Sequence, residues 1–110
     1  TIVETLPLIV KKDGRREDYD RSKLERGIKK AFEKRPVPLE TIEALIDSVE
    51  RELFAAEKAE IESTYIGELV INLLRDADAV AYVRFASVYR QFKDPNDFLT
   101  ELKHFIEQKK

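Results

Sequence analysis

The segment from Ala79 to Phe92 constrains the fold of this 110-residue chain most strongly, because it is apolar on almost every side. It reads A-V-A-Y-V-R-F-A-S-V-Y-R-Q-F, with a polar line formed by Arg84, Ser87 and Gln91. A helix that is apolar nearly all round has to be surrounded by protein. Asp78 is a suitable residue to cap its first turn. We therefore predict a helix over residues 79–92 at the centre of a helical bundle.

Four other segments carry apolar residues at the spacing of an amphipathic helix. Their predicted starts are marked by Asp20, Pro38, Ser63 and Asp94-Pro95. Their predicted inward-facing residues are, in chain order, Leu24, Ile28, Ala31, Phe32, Ile42, Leu45, Ile46, Val49, Leu53, Ile66, Leu69, Val70, Leu73, Leu74, Phe98, Leu99, Leu102, Phe105 and Ile106. Residues 55–60 break the periodicity and are predicted to form a connection. Gly27 interrupts the first of these helices at a cost of roughly 1 kcal/mol relative to alanine, which indicates a close approach to the backbone there.

A β-hairpin is predicted ahead of the helices. The runs Leu8-Ile9-Val10 and Glu17-Asp18-Tyr19 flank Asp13-Gly14, the residue pair that favours a type I′ turn with positive φ at both central positions. The fold class that follows is α+β but mostly α, with an N-terminal β-hairpin packed on a bundle of four or five helices.

Cations surround the predicted turn, at Lys11, Lys12, Arg15 and Arg16, and Lys23 follows in the first turn of the next helix. Cationic side chains and a helix N-terminus that point at the same place favour an anion with several phosphates. The alternative interpretation is a solvated basic turn.

Composition narrows the class of protein. The chain is long enough for one domain with its own core, and 43% hydrophobic and 38% charged residues are typical of a soluble globular protein. No apolar run approaches the roughly 20 residues of a membrane span, and we expect no membrane contact. The absence of cysteine excludes disulfides and thiolate metal sites and fits a cytoplasmic origin. A net charge of −2 argues against autonomous binding to nucleic acid.

We find no catalytic motif and predict that the chain is not an enzyme. His104 is the sole histidine and has no nucleophile or ligand partner near it in sequence, so we interpret it as a surface residue. The carboxylates fall on the outward stripes of the predicted helices. No Walker A, G-x-G-x-x-G or H-E-x-x-H motif occurs, and we predict no metal site.

Two segments resemble a known family. I-V-K-K-D-G-R-R-E-D-Y-D-R-S-K-L followed by A-F-E-K-R-P-V resembles the opening of the ATP-cone, the nucleotide-binding regulatory module of ribonucleotide reductases. V-A-Y-V-R-F-A-S-V-Y-R-Q-F-K-D is more similar to the ATP-cone of NrdR-type transcriptional repressors of ribonucleotide reductase genes. The resemblance implies a domain that binds ATP and dATP, with Mg²⁺, and controls self-association into homo-oligomers. It places the cone at residues 1–93, with a C-terminal amphipathic helix at 94–110 packed on the cone or on a partner.

The resemblance also implies roles for individual residues. Lys11 and Lys12 would meet the phosphates, with Arg15 and Lys23 adding charge, and Lys34 and Arg35 would close the phosphate side. Ile9 and Val10 would form the floor, and Glu17 would hold the ligand or a metal-linked polar group. Ser63 and Gly67 match positions near the base and sugar, and Tyr89 is a further candidate.

One departure from the family is large. NrdR-type repressors carry an N-terminal zinc ribbon with four cysteines, through which they would contact DNA, whereas this chain has no cysteine and begins at Thr1. Either the ribbon was removed or the chain never had one, and the lack of methionine also fits a designed or consensus sequence. DNA binding is therefore expected only through a ribbon missing from this chain. Two other functions stay open: a purely structural helical interaction module, and the allosteric ATP-cone of a reductase.

Overall fold

A computed structural model describes residues 6–108. Residues 1–5 of the predicted cone (1–93) and residues 109–110 of the predicted terminal helix (94–110) lie outside the described residues. The elements are, in chain order, β1 Leu8–Val10, β2 Arg16–Asp18, α1 Arg21–Ala31, α2 Leu39–Ala55, β3 Glu60–Glu62, α3 Ser63–Ala77, α4 Ala79–Tyr89 and α5 Pro95–Gln108. The predicted α+β, mostly helical fold is confirmed. Among the described helices, none is long and apolar enough to cross a bilayer.

The predicted hairpin is present, but its type I′ turn is wrong. β1 and β2 are antiparallel, with Ile9 opposite Glu17, and the Gly14 amide donates to the Lys11 carbonyl at 2.9 Å. The turn is therefore centred on Lys12 and Asp13, and Gly14 follows it with a φ of +88°. The Asp13 carboxylate accepts a hydrogen bond from the Arg15 amide at 3.0 Å, a local bond that competes with the two-residue turn. The longer loop carries Lys12 at its tip.

The third strand was not predicted. β3 pairs with β1 in parallel, with Ile61 beside Ile9, which gives the sheet order β2-β1-β3. Glu60 therefore belongs to a strand and not to the predicted connection. A three-residue strand with one apolar residue has no detectable period, so this element could not be read locally.

The helical starts are confirmed at Asp20, Asp78 and Asp94, each of which accepts backbone N–H bonds from the turn that follows. The predicted start at Ser63 is wrong by one residue: Glu62, the end of β3, is the N-cap, and Ser63 is the first helical residue. Similarly, Pro38 is the N-cap of α2 and does not lie within its first turn. The five predicted core residues of α2 are all buried, which confirms that stripe.

α4 packs against α1, α3 and α5, with Ala81, Tyr82 and Ala86 completely buried. Two predictions about it need correction. The helix ends at Tyr89 and does not continue to Phe92, and it is not surrounded by protein, because Val88 is 79% exposed. α4 thus lies between other helices on one side and faces solvent on the other.

α5 packs on α4. The ring of Phe105 lies against Tyr82 with centroids 5.0 Å apart, and Phe98 meets Phe92 edge to face at 6.5 Å. The prediction that Leu99 and Ile106 face inward is wrong, because both side chains are more than half exposed. The division of the chain at residue 93 stays a prediction.

Candidate functional site

A cleft of about 530 Å³ opens between the hairpin and the helices α1, α3 and α4. Most of the residues singled out from the sequence line it: Ile9, Lys11, Lys12, Arg15, Glu17, Lys23, Ser63, Gly67 and Tyr89. They come from five separate elements and from the hairpin loop, so the fold brings together residues that are far apart in the chain. The volume of the cleft lies within the range of about 300–1,000 Å³ that is typical of small-molecule sites.

Three of the residues expected at the same ligand do not line this cleft, and their part in binding stays a prediction. Val10 faces a second pocket with Tyr65 on the opposite side of the sheet. Arg35 forms two bonds to the Asp78 carboxylate, at 2.9 and 3.1 Å, and so closes the N-terminus of α4 and not the cleft. Lys34 is exposed in a left-handed conformation with φ of 61° just after α1.

The hairpin cations diverge. Arg16 leaves the cleft side and pairs with Glu60 of β3, with Nε 2.6 Å from Oε1, and this pairing raises the pKa of Arg16. Arg15 remains at the cleft, held by Asp13 at 2.7 Å. Three of the four turn cations therefore stay at the cleft, and the fourth joins the hairpin to β3.

Glu17 lies among the cations of the cleft. Its carboxylate is 3.4 Å from Lys23 Nζ, 3.8 Å from Lys11 Nζ and 3.9 Å from an Arg15 guanidinium nitrogen. Exposed ion pairs of this length contribute little to stability. The cations can therefore exchange Glu17 for an anionic ligand at small cost, and Glu17 reduces their mutual repulsion in the meantime.

An aromatic wall forms the opposite side of the cleft. Phe85 and Tyr89, one turn apart on α4, have nearly parallel rings at 6.2 Å. Lys12 Nζ lies 5.9 Å from the centre of the Tyr89 ring, a cation–π contact that joins the hairpin tip to this wall. The sequence analysis does not single out Phe85 as a site residue, although its spacing from Tyr89 puts both residues on one helix face.

Gly67 allows the Tyr89 ring to lie directly on α3. A Cβ atom at residue 67 would be only 2.0 Å from the ring, so any larger residue would displace it. The Tyr89 hydroxyl donates to the Thr64 carbonyl at 2.8 Å. Burial, together with the charge of Glu68, raises the pKa of Tyr89, so the phenol stays protonated and can donate. Gly67 thus positions the aromatic wall.

The remaining surface of the cleft is a mixture of apolar and polar residues that the sequence does not mark as part of a binding site. It is formed by Tyr19, Leu24, Gly27, Ile66 and Gln91 together with carboxylates at the rim. Gly27 does not contact another part of the described chain closely: a Cβ there would have Phe85 as its nearest neighbour, at 3.8 Å. The space beside Gly27 is the cleft itself.

The arrangement suits a ligand with an anionic end and a flat apolar end. Cations at the hairpin can meet the charge, and the Phe85–Tyr89 wall can meet a ring. Among the described residues, no group of three or more metal-ligating side chains converges. His104 is exposed on α5 and does not line the cleft.

Comparison with known proteins bears on this site. Residues 7–95 match the family model described as the ATP cone domain. The chain is 59% identical over 108 residues to the transcriptional repressor NrdR of Agathobacter rectalis, a match that covers 97% of the chain and 72% of the relative. It is 60% identical over 104 residues to NrdR of Syntrophus aciditrophicus, covering 94% of the chain and 65% of the relative. A third relative, NrdR of Geobacter sulfurreducens, is 56% identical over 107 residues, covering 97% and 71%.

Proposed function

The chain belongs to the ATP-cone family and, within it, to the NrdR-type repressors, and from this membership we propose its function. It binds ATP and dATP, and this binding controls the self-association of a repressor of ribonucleotide reductase genes. The resemblance read from the two sequence segments is confirmed at the level of the family. The chain has a nucleotide-sensing regulatory role and is not an enzyme, in agreement with relatives that are named transcriptional repressors.

The observation that carries the proposal is the cleft, in which the cations of the hairpin face the Phe85–Tyr89 wall. A nucleoside triphosphate has the same two parts, an anionic chain and a flat ring. Charge-assisted hydrogen bonds from Lys11, Lys12 and Lys23 would hold the phosphates, because such bonds are about twice as strong as neutral ones. The base would lie toward the aromatic wall, where stacking is favourable.

The ion pairs of Glu17 would change when the ligand binds. Its carboxylate balances Lys11, Arg15 and Lys23. A triphosphate would replace it as the counter-charge, after which Glu17 would be free to accept a ligand hydroxyl or to contact a metal-bound water. The hairpin loop and the start of α1 would then be held by the ligand.

Mg²⁺ would enter with the nucleotide. The described residues provide no cage of metal ligands, and Glu17 is the one proposed contact on the protein side. This fits the ordinary chemistry of Mg²⁺, which keeps several waters and binds through one or two carboxylates and the substrate phosphates. The ion would neutralise phosphate charge.

Control of a repressor requires a second part of the protein. The chain spans about two thirds of the length of the relatives it matches, between 65% and 72% for the three relatives above. We propose that DNA is contacted through a zinc ribbon missing from this sequence, and that the oligomers formed by the cones set the spacing of the ribbons. A cytoplasmic location follows from that role.

Titration calorimetry with ATP and with dATP tests the binding. We expect the double variant Lys11→Ala/Lys12→Ala to lose at least about a hundredfold in affinity, because it removes two charge-assisted contacts of about 1.5 kcal/mol or more each. The matched control is Lys29→Ala/Lys30→Ala, which removes the same charge from exposed positions of α1 outside the cleft. Equal losses in both double variants would contradict a specific phosphate site.

Light scattering after size exclusion tests the self-association. A ligand shifts an equilibrium between two states only if it binds them unequally. We therefore expect the molar mass without nucleotide, with ATP and with dATP to differ. The same mass in all three samples would contradict control of oligomerisation while leaving nucleotide binding intact.

A further inference from the structure

The end of α4 is shared between the cleft and α5. Tyr89 and Gln91 line the cleft, whereas Arg90, between them, points away to α5 and α3. One guanidinium nitrogen of Arg90 bonds to Glu101, and the other lies 3.0 Å from Glu68. Three consecutive residues therefore connect the cleft with the terminal helix.

Glu101 is an unusual partner for Arg90. It is 6% exposed, and no other charged side chain that the structure describes is buried. Its two carboxylate oxygens accept separate bonds, one from the Tyr82 hydroxyl and one from Arg90. A buried carboxylate is tolerated only when it is paired and hydrogen-bonded. Arg90 cannot turn away from α5 without leaving that charge unpaired.

The backbone beside Arg90 ends α4. Gln91 has a φ of 52°, the left-handed conformation in which many helices end. The amide of Phe92 reaches back to the Ser87 carbonyl at 3.1 Å, which closes the end of α4 over this residue. The bond from Arg90 to Glu101 secures the same turn from the side of α5.

We propose that Glu101 is a positioning residue for the nucleotide cleft: through Arg90 it holds the end of α4 so that Tyr89 and Gln91 keep their places at the ligand. The inference rests on the proposed nucleotide-binding function. It assigns α5 a role in ligand affinity although none of the described side chains of α5 lines the cleft. It also means that a change in the seating of α5 and a change in nucleotide binding are coupled in both directions.

The test is the substitution Glu101→Gln. Glutamine retains an oxygen for Tyr82 but removes the charge that binds Arg90. We expect the dissociation constant for ATP, measured by calorimetry well below the unfolding temperature, to rise about three- to thirtyfold, the range of ordinary long-range coupling. Glu107→Gln is the matched control, because Glu107 is exposed on the same helix, and it should leave the constant unchanged.

A second variant identifies the route. Arg90→Gln should weaken ATP binding as much as Glu101→Gln, and the double variant should lose no more than either single one. Additive losses of affinity in the double variant would overturn the inference. A Glu101→Gln protein with a lower unfolding temperature but unchanged ATP affinity would also overturn it, because a merely structural role gives that result. If Glu101→Gln fails to fold, unchanged ATP affinity in Arg90→Gln overturns it. Absence of ATP binding in the unaltered chain would contradict the proposed function instead.

Discussion

Substitution of Gly67 by alanine separates helix propensity from the packing of the aromatic wall. In the interior of an exposed helix this change stabilises by about 1 kcal/mol. Here the new methyl carbon would meet the Tyr89 ring at 2.0, 2.3 and 2.6 Å from three of its atoms. No real contact is that short, so the ring has to leave α3.

The loss on displacement of the ring outweighs the gain. The hydrogen bond from Tyr89 to Thr64 contributes about 1 kcal/mol, and the stacking on Phe85 about 0.5–1.5 kcal/mol. The ring also loses its contact with α3, worth about 1 kcal/mol more. The net result is a destabilisation of about 1.5–2.5 kcal/mol, which lowers the melting temperature by about 6–10 °C in a domain of this size. The displaced ring would occupy the cleft and weaken nucleotide binding at least about tenfold.

Gly27→Ala provides the control, because it makes the same chemical change in α1. Its Cβ would have ordinary van der Waals contact with Phe85 at 3.8 Å, so the helix propensity acts alone and the melting temperature should rise by about 4 °C. Thermal denaturation followed by circular dichroism gives both shifts, and calorimetry gives the affinity of the Gly67 variant. The reasoning would be refuted by a Gly67→Ala protein that melts above the unaltered chain and binds nucleotide equally well.

Two further predictions concern acid stability and chemistry. Burial raises the pKa of Asp78, but hydrogen bonds from Arg35 and from the Ala81 amide outweigh it, and the net effect is a lowered pKa. The Asp78 carboxylate therefore contributes fully to the stability of the fold above about pH 4, and this contribution is lost as the pH falls through the lowered pKa. Asp78→Asn, which keeps a helix cap but loses the ion pair, should destabilise by about 1 kcal/mol at neutral pH and show a smaller acid loss in urea titrations; an identical pH profile would count against this account. ATP incubated with the chain and Mg²⁺ should stay intact, and phosphate release above a protein-free control would argue for catalysis.

The helices follow from local information. The interior of α2 was predictable residue by residue, because an apolar stripe with a period of 3.6 can be buried along only one face. The caps at Asp20, Asp78 and Asp94 were predictable for a similar reason, since each carboxylate bonds to amides two or three residues ahead. Both signals are contained within a few turns of the chain.

The third strand and the true extent of α4 could not be predicted in this way. β3 exists because its backbone pairs with β1, which lies far away in the sequence. Val88 belongs to an apolar segment and is nevertheless exposed, because the neighbours of α4 cover one side of the helix only. Periodicity reports which residues can be buried together, and packing decides whether a partner is present.

The sequence by itself determined the identity of the cations, the hairpin that carries them and the helix that begins beside them. The tertiary structure alone decided which of them face the cleft. Lys11 and Lys12 do, whereas Arg16 is paired with Glu60 and Arg35 with Asp78. Coulomb attraction depends on distance in space and not on separation along the chain. A cation therefore forms an ion pair with the carboxylate that the fold brings within a few ångströms of it.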